Sequence, residues 1–314
     1  MTTVLLPTGL DLDPTLPHGV EAAWYDPREP VPEEHVDAEV LVVWASPARV
    51  LEDAARRLHR LRWVQTFAAG PDAVLGAGFG EDVVVTSGRG LHDDPVAEHT
   101  LALLLAGIRA LPDLVRAQDE HRWARELTGN HPGRPADALR TLSGAHVLVW
   151  GFGSIATRLS PLLTALGAHV TGVATTAGER AGYPVLAASE VARALPTTDV
   201  LVAILPATEA TRHAIDADVL ARLPRHAWVV NVGRGSTLDE AALLDALRGD
   251  RLGGAALDVF ETEPLPADSP LWSEPRVIVS PHAAGGRPVD PGGLLTENLA
   301  LFVAGRPLRN TVTR

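Results

Sequence analysis

The chain has 314 residues, 46% of them hydrophobic, with 28 Gly, 25 Pro and a net charge of -12. That length implies two domains, and the acidic balance argues against nucleic acid or an anionic membrane as the main partner. Cysteine and lysine are both absent, every basic side chain being Arg, which excludes disulfides, thiolate metal sites, thiol nucleophiles and a Schiff-base lysine.

At the N-terminus, Met1–Leu6 shows no basic region leading into a long apolar run, so no signal peptide is expected. The longest apolar stretch, Leu101–Ala110, is too short for a bilayer and is interrupted by Arg109. A cytoplasmic location is the expectation.

In chain order, Val4–Leu6 and Val40–Trp44 read as strands, with a further short strand near Val20–Trp24 among Pro-rich loops. Pro47–Arg60 reads as a helix, with Ser46 as its cap and Pro47 at its first position. Arg62–Thr66 and Val83–Thr86 are strands again. Asp94–Arg109 reads as a long helix, with Leu101, Leu104, Leu105 and Ile108 on its apolar face. Residues 128–139 are polar and rich in Gly and Pro, the composition of a loop.

A second α/β rhythm starts at Ser143. Strands are expected at His146–Trp150, His169–Val173, Asp199–Leu205, Trp228–Val232, Ala255–Asp258 and Arg276–Val279. Helices are expected at Ser154–Leu166, Ser189–Leu195, Asp216–Leu223 and Asp239–Arg248, and a last one at Pro291–Ala304 with Gly305 as its stop. This alternation is that of a doubly wound parallel sheet.

Gly151-Phe152-Gly153-Ser154-Ile155-Ala156 is a G-x-G-x-x-A run between a strand and a helix. Gly151 permits the tight turn, Gly153 lets a pyrophosphate approach the backbone, and Ala156 lets the helix pack closely on the strand. Ser154 and Ile155 would offer N–H groups to the phosphates. After the next strand, an acid that would grip ribose hydroxyls is missing; Ala174, Thr175 and Thr176 stand there, and Arg180 follows. The loop therefore leans toward NADP(H) over NAD(H). The sequence leaves open whether Arg180 turns to the cofactor or to solvent.

Seven ordered blocks carry a resemblance to a known family. They are VAEHTLALLLAGIR (Val96–Arg109), LSGAHVLVWGFGSIA (Leu142–Ala156), LPATEATRHAID (Leu205–Asp216), NVGRGSTLDEAALLDAL (Asn231–Leu247), GGAALDVFETEPLP (Gly253–Pro266), PHAAG (Pro281–Gly285) and ENLALFVAGRPLRN (Glu297–Asn310). At this spacing the chain resembles the D-isomer-specific 2-hydroxyacid dehydrogenases. That resemblance implies two doubly wound α/β domains: a dinucleotide-binding Rossmann domain over residues 96–283, and a discontinuous, flavodoxin-like substrate domain over residues 1–95 and 284–314. It implies an NAD(P)-dependent enzyme that moves a hydride between a nicotinamide and a small 2-keto acid or D-2-hydroxy acid, of the glyoxylate/hydroxypyruvate type. A homodimer is implied as well, through Leu101–Ile108 and the arm near Trp123.

The resemblance also assigns roles. Arg234 matches the substrate arginine, whose guanidinium can hold a keto-acid carboxylate in bidentate fashion. His282 matches the catalytic histidine and Glu263 the carboxylate that pairs with it. Asp258 and Val232 fall on the nicotinamide side of the cofactor, and Leu205, Pro206 and Thr208 on its adenine and ribose side. Ala69 and Gly70 match the loop whose N–H groups receive the substrate carboxylate. No metal is expected.

Two departures stand out. Arg287 follows Gly285-Gly286 where the family often has Thr or Ser, and the stretch Gly88–Asp94, with His92, matches no specificity residue. Two other readings stay open: a non-catalytic protein that senses NAD(H), and a formate- or phosphite-type dehydrogenase. The formate enzymes carry Gln where this chain has Glu263.

Overall fold

The computed structural model describes residues 1–127 and 138–313, which divide into two compact units, Met1–His92 with Arg287–Arg314, and Asp93–Gly286. The loop expected over residues 128–139 lies, as far as residue 137, outside the described residues.

In the first unit, β1 (Thr2–Pro7), β2 (Val20–Tyr25), β3 (Val40–Val43), β4 (Trp63–Thr66) and β5 (Val84–Thr86) form one parallel sheet in the order β2-β1-β3-β4-β5. This is the flavodoxin-like order. The period of two along each strand divides the core between two faces. Leu5, Leu41, Val43, Val64 and Val85 pack with Leu51 and Ala54 of helix Ala48–Arg57 on one face. Val4, Leu6, Val40, Val42 and Trp63 pack with Leu294, Leu295 and Leu299 of helix Pro291–Val303 on the other. Both faces are thus covered at the centre of the sheet, which is why Val4–Leu6 of β1 and Val40–Val43 of β3 are continuous apolar runs without alternation.

In the second unit, β6 (His146–Trp150), β7 (His169–Ala174), β8 (Gly178–Arg180), β9 (Tyr183–Ala187), β10 (Val200–Ala203), β11 (Trp228–Asn231), β12 (Gly254–Leu257) and β13 (Val277–Val279) form a sheet ordered β13-β12-β11-β10-β6-β7-β9-β8. All pairs are parallel except β8 with β9. Strand order reverses between β6 and β10, the crevice where doubly wound sheets bind nucleotides. Helices Asp93–Ile108 and Ser154–Ala165 cover one face through Leu104, Ile108, Leu159 and Leu163. Leu195, Leu220, Leu243 and Leu247 cover the other. The expected fold class, two doubly wound α/β domains, is what the chain forms.

Local differences have local causes. Pro47, with ψ 149°, is itself the cap of the first helix, which begins at Ala48; Ser46 does not cap it. The helix expected at Ser189–Leu195 narrows to Val191–Ala194 between two 3-10 turns, with Pro196 unable to extend it. The hairpin of β8 and β9 has no apolar alternation in Gly178-Glu179-Arg180, so the sequence did not announce it. Its two-residue turn is Ala181-Gly182, at φ 52° and 82°, the left-handed pair that a tight hairpin requires. A further helix, Leu111–Asp119, follows a break at Ala110 (φ 55°). No helix of the described residues is long and apolar enough to cross a membrane.

Candidate active site

Parallel strands place their carboxyl ends at one edge of a sheet, and the loops leaving that edge carry nearly all the candidate residues of the second unit. The turn after β6 shows how the backbone is shaped there. Gly151 sits at φ 102°, and a Cβ on it would lie 2.3 Å from the Ile204 carbonyl oxygen. The N–H groups of Gly151 and Phe152 both donate to Val173 O, at 3.0 and 3.1 Å. Gly153 is the opposite case: a Cβ there would meet nothing within 4 Å. Gly153 also caps helix Ser154–Ala165 with no side-chain hydrogen bond to the helix start, which leaves a positive helix end beside an open cradle. Those features fit a pyrophosphate. Ser154 and Ile155 are the first residues of that helix, and Ser154 Oγ donates to Asp93 Oδ1 at 3.1 Å.

The residues after β7 form the second part. Thr175 and Thr176 are exposed, and Arg180 folds back from β8 onto the glycine turn. Its Nη1 donates to Phe152 O at 3.1 Å, and its Nη2 to Thr176 O and Oγ1 at 3.3 and 3.2 Å. Ala174 ends β7 with no carboxylate. Two residues past β10, Leu205 is buried. Pro206 O accepts from Thr211 Oγ1 at 2.6 Å, and Thr208 caps the turn Glu209–Thr211. Val232 is buried just past β11, its N–H on Ala203 O.

Arg234 follows β11 in a loop pinned by Asn231, whose Nδ2 donates to Arg234 O at 3.1 Å and whose Oδ1 accepts from Gly233 N at 3.1 Å. Thr237 Oγ1 also donates to Arg234 O, at 2.7 Å, and Arg234 Nη1 donates to Gly233 O at 2.8 Å. His282 lies past β13, two strands from β11, about 10 Å across the sheet.

His282 and Glu263 are brought into direct contact: Nδ1 lies 2.7 Å from Glu263 Oε2. Glu263 is held in turn, its Oε1 accepting from Phe260 N at 3.0 Å. An ionised carboxylate only accepts, so Nδ1 carries the proton and Nε2 is the nitrogen left for chemistry. His282 itself has φ 52°, a left-handed conformation that costs about 1–2 kcal/mol for a residue with a Cβ. Asp258 explains how it persists. His282 N donates to Asp258 O at 2.8 Å, and Ala283 N and Ala284 N donate to the Asp258 carboxylate at 2.8 and 3.0 Å. Asp258 is 1% exposed. Ser280 Oγ and His99 complete its surroundings; Ser280 precedes His282 by two residues and is legible beside it, whereas His99 reads in the sequence only as one residue of a helix.

Glu240, beside Glu261 on the next loop, has its carboxyl held above the ordinary range, by burial first and then by the charges of Glu261 and Glu263. Among the described residues no cluster of three or more His, Asp or Glu is arranged to hold a metal ion.

Ala69 and Gly70 belong to the first unit, half-buried past the carboxyl end of β4. His92 is buried beside that loop, its Nε2 2.8 Å from Phe67 O and its ring stacked on Trp44 at 5.7 Å. Arg287, also in the first unit, donates from Nη2 to Gly9 O at 3.4 Å.

Comparison with known proteins agrees with this architecture. Residues 101–284 match the family model for the D-isomer specific 2-hydroxyacid dehydrogenase, NAD binding domain. An uncharacterised protein of Corynebacterium melassecola is 33% identical over 81% of this chain and 83% of its own length. The D-3-phosphoglycerate dehydrogenase of Mycobacterium bovis is 31% identical over 91% of this chain, which spans only 53% of that longer protein. A D-isomer specific 2-hydroxyacid dehydrogenase of Xanthobacter autotrophicus Py2, solved with NADPH and MES, superposes at a TM-score of 0.77 with 30% identity, covering 99% and 98% of the two chains. An NADPH-dependent glyoxylate/hydroxypyruvate reductase of Sinorhizobium meliloti, solved with NADP and sulfate, gives a TM-score of 0.80 with 26% identity over 99% and 98%.

Proposed function

The chain belongs to the D-isomer specific 2-hydroxyacid dehydrogenase family, and from that premise we propose that it is an NADPH-dependent reductase of a small 2-keto acid of the glyoxylate or hydroxypyruvate class. The observation that carries the proposal is the His282–Glu263 contact at 2.7 Å, which leaves Nε2 as the proton-transfer atom.

The open cradle at Gly153 and the start of helix Ser154–Ala165, which no side chain caps, would receive the pyrophosphate of a dinucleotide, with Leu205, Pro206, Thr208, Val232 and Asp258 assigned to its remaining length. When bound in reduced form, it supplies a hydride to the keto carbon. Arg234 holds the substrate carboxylate and draws electron density from the neighbouring carbonyl. His282 delivers a proton from Nε2 to the carbonyl oxygen as charge develops on it. Glu263, bound at Nδ1, fixes the ring and supports its positive charge before transfer. In the oxidation direction each role reverses. In the first unit, Ala69 and Gly70 are assigned to receive carboxylate oxygens on backbone N–H groups.

The leaning toward NADPH rests on Ala174, which leaves room and removes repulsion for a 2′-phosphate, and on Arg180 beside Thr176. The NADPH and NADP complexes of the two relatives described above support the same reading. A binding-only role is disfavoured by the paired His282 and Glu263, which a sensor has no need to keep. Glu263 itself disfavours a formate-type enzyme. A homodimer is proposed; of the expected interface, Leu103, Leu104 and Ile108 are instead buried in the core of the second unit, and the exposed apolar side chains are Trp123 and, on helix Leu111–Asp119, Leu111, Leu114 and Val115.

The test is NADPH and NADH consumption by purified protein with glyoxylate, hydroxypyruvate and phenylpyruvate, followed by chiral analysis of the product. Glyoxylate- or hydroxypyruvate-dependent consumption is expected, with D-glycerate formed from hydroxypyruvate. No consumption with any keto acid overturns the proposal.

A further inference from the structure

His99 lies in the middle of helix Asp93–Ile108, far in sequence from the loop that bears His282. Its Nε2 is 2.9 Å from Ser280 Oγ and 3.4 Å from Asp258 Oδ1. Ser280 Oγ is in turn 2.5 Å from Asp258 Oδ1. Counting protons assigns the direction of each bond. Ionised Asp258 has none to give, so the single hydroxyl proton of Ser280 goes to Oδ1. Ser280 then has only lone pairs to offer His99. His99 must therefore bring its own proton on Nε2, as the Nε2–H tautomer or as imidazolium.

We propose that His99 is a positioning residue for His282, acting through Ser280 and Asp258. Asp258 is the anchor of the turn that holds His282 in a left-handed conformation, because it accepts from Ala283 N and Ala284 N while its own carbonyl accepts from His282 N. That anchor is useful only if the carboxylate is itself fixed. Ser280 fixes one oxygen from the His282 loop, but Ser280 and the turn move together. His99 is the contact that comes from outside that loop, from a helix whose Leu104 and Ile108 are embedded in the core. It ties the carboxylate and the hydroxyl to a rigid element at once. The backbone turn from which the His282 ring reaches Glu263 is thereby steadied by a histidine that touches neither His282 nor Glu263 through any described bond.

This inference rests on the dehydrogenase reading only for its kinetic arm. The structural arm uses the protein without dinucleotide or keto acid: amide hydrogen exchange at Ala283 and Ala284, and the protonated nitrogen of His99 by nitrogen NMR. Wild type is expected to carry the His99 proton on Nε2. In His99→Leu, which keeps the bulk and removes the donor, the two amides are expected to exchange at least about tenfold faster. In His99→Gln, whose amide N–H2 restores a donor, protection is expected to return. Ser280→Ala breaks the same chain one link later and should match His99→Leu, with the double variant no worse than either single one. With keto acid and cofactor, kcat of His99→Leu should fall between about tenfold and a hundredfold, with KM for the keto acid changed less than about twofold.

Unchanged exchange at both amides in His99→Leu and in Ser280→Ala overturns the proposal, as does additivity of the two. A loss of thermal stability with wild-type exchange and kcat would show that His99 only packs, and overturns it equally. Where His99→Leu does not fold, Ser280→Ala and His99→Gln decide. Failure of wild type to turn over any keto acid counts against the dehydrogenase reading, while the exchange data still judge the role of His99.

Discussion

The Arg180 guanidinium lies against the carbonyl oxygen of Phe152, 3.1 Å away, so a cation from β8 is fixed beside the glycine turn after β6. It also holds Thr176 through the backbone and the side chain. Preference for NADPH is therefore expected to weaken about tenfold or more in Arg180→Ala, by loss of charge-assisted bonds to a phosphate. It should invert toward NADH in Ala174→Asp, because a carboxylate accepts from ribose hydroxyls and repels a 2′-phosphate. The measurement is kcat/KM for both cofactors with one keto acid. A tenfold preference of wild type for NADH would sink this reading of the loop.

Gly151 and Gly153, two residues apart, are expected to respond oppositely to a methyl group. In Gly151→Ala the new Cβ meets backbone at 2.3 Å and the residue is forced to φ 102°, so stability should fall by at least about 2 kcal/mol. In Gly153→Ala the Cβ meets no protein atom within 4 Å, so the unfolding midpoint should stay within about 2 °C. Dinucleotide affinity, however, should drop about tenfold or more, since the methyl occupies the approach of the pyrophosphate. Thermal unfolding and a binding titration read the two effects separately. Unchanged affinity in Gly153→Ala would mean that the cradle is not the phosphate site.

His282→Ala should lower kcat for keto-acid reduction by roughly a hundredfold or more while dinucleotide affinity is retained, because a general acid is lost and no cofactor contact is. Glu263→Gln should lower kcat about tenfold with little change in KM, since an amide can still meet Nδ1 but supplies no charge. Steady-state rates and a fluorescence titration of the dinucleotide check both. Near-wild-type turnover in His282→Ala would remove His282 from the chemistry.

Glu240 gives a pH-dependent expectation. Burial, with Glu261 and Glu263 nearby, raises its folded-state value above the ordinary 4.5. A raised value contributes stability that is fully present below the ordinary value and is lost as pH rises through the folded one. Glu240→Gln removes that loss, and its carbonyl can still accept from Glu261 N, which Glu240 Oε1 does at 2.7 Å. The variant should unfold roughly 1–2 °C above wild type at neutral pH and gain nothing near pH 4. Equal differences at both pH values would show that ionisation of Glu240 is not responsible.

The exposed Leu111, Leu114, Val115 and Trp123 should be covered in a homodimer with two-fold symmetry. Light scattering at micromolar concentration is expected to give twice the chain mass. Replacing Val115 and Trp123 with polar residues should shift the mass toward one chain.

Much of this architecture was legible in the residues themselves. Short, continuous apolar runs rich in β-branched residues, such as Val147-Leu148-Val149, read as strands buried on both faces, as this one is. Asp216 and Asp239 announce the helices that they cap by accepting from Val219 N and Ala242 N. The G-x-G-x-x-A turn carries its meaning in local geometry, so it too could be read in one dimension. The hairpin of β8 and β9 escaped because its signal is a pair of left-handed angles at Ala181 and Gly182. Ala181 does not advertise such an angle, and Glu179 and Arg180 do not read as strand.

The sequence by itself announced the two α/β units and the glycine turn, because each depends on residue type and near-neighbour spacing, while the candidate Arg234, Glu263 and His282 came from the resemblance to a family. Only the tertiary structure decided where Arg180 points, that Glu263 meets His282 at 2.7 Å, and that His99 reaches Ser280 across 181 positions of chain. The reason is physical. A hydrogen bond between distant residues depends on where the packing of β12, β13 and helix Asp93–Ile108 puts two side chains within about 3 Å, and no local pattern encodes that distance.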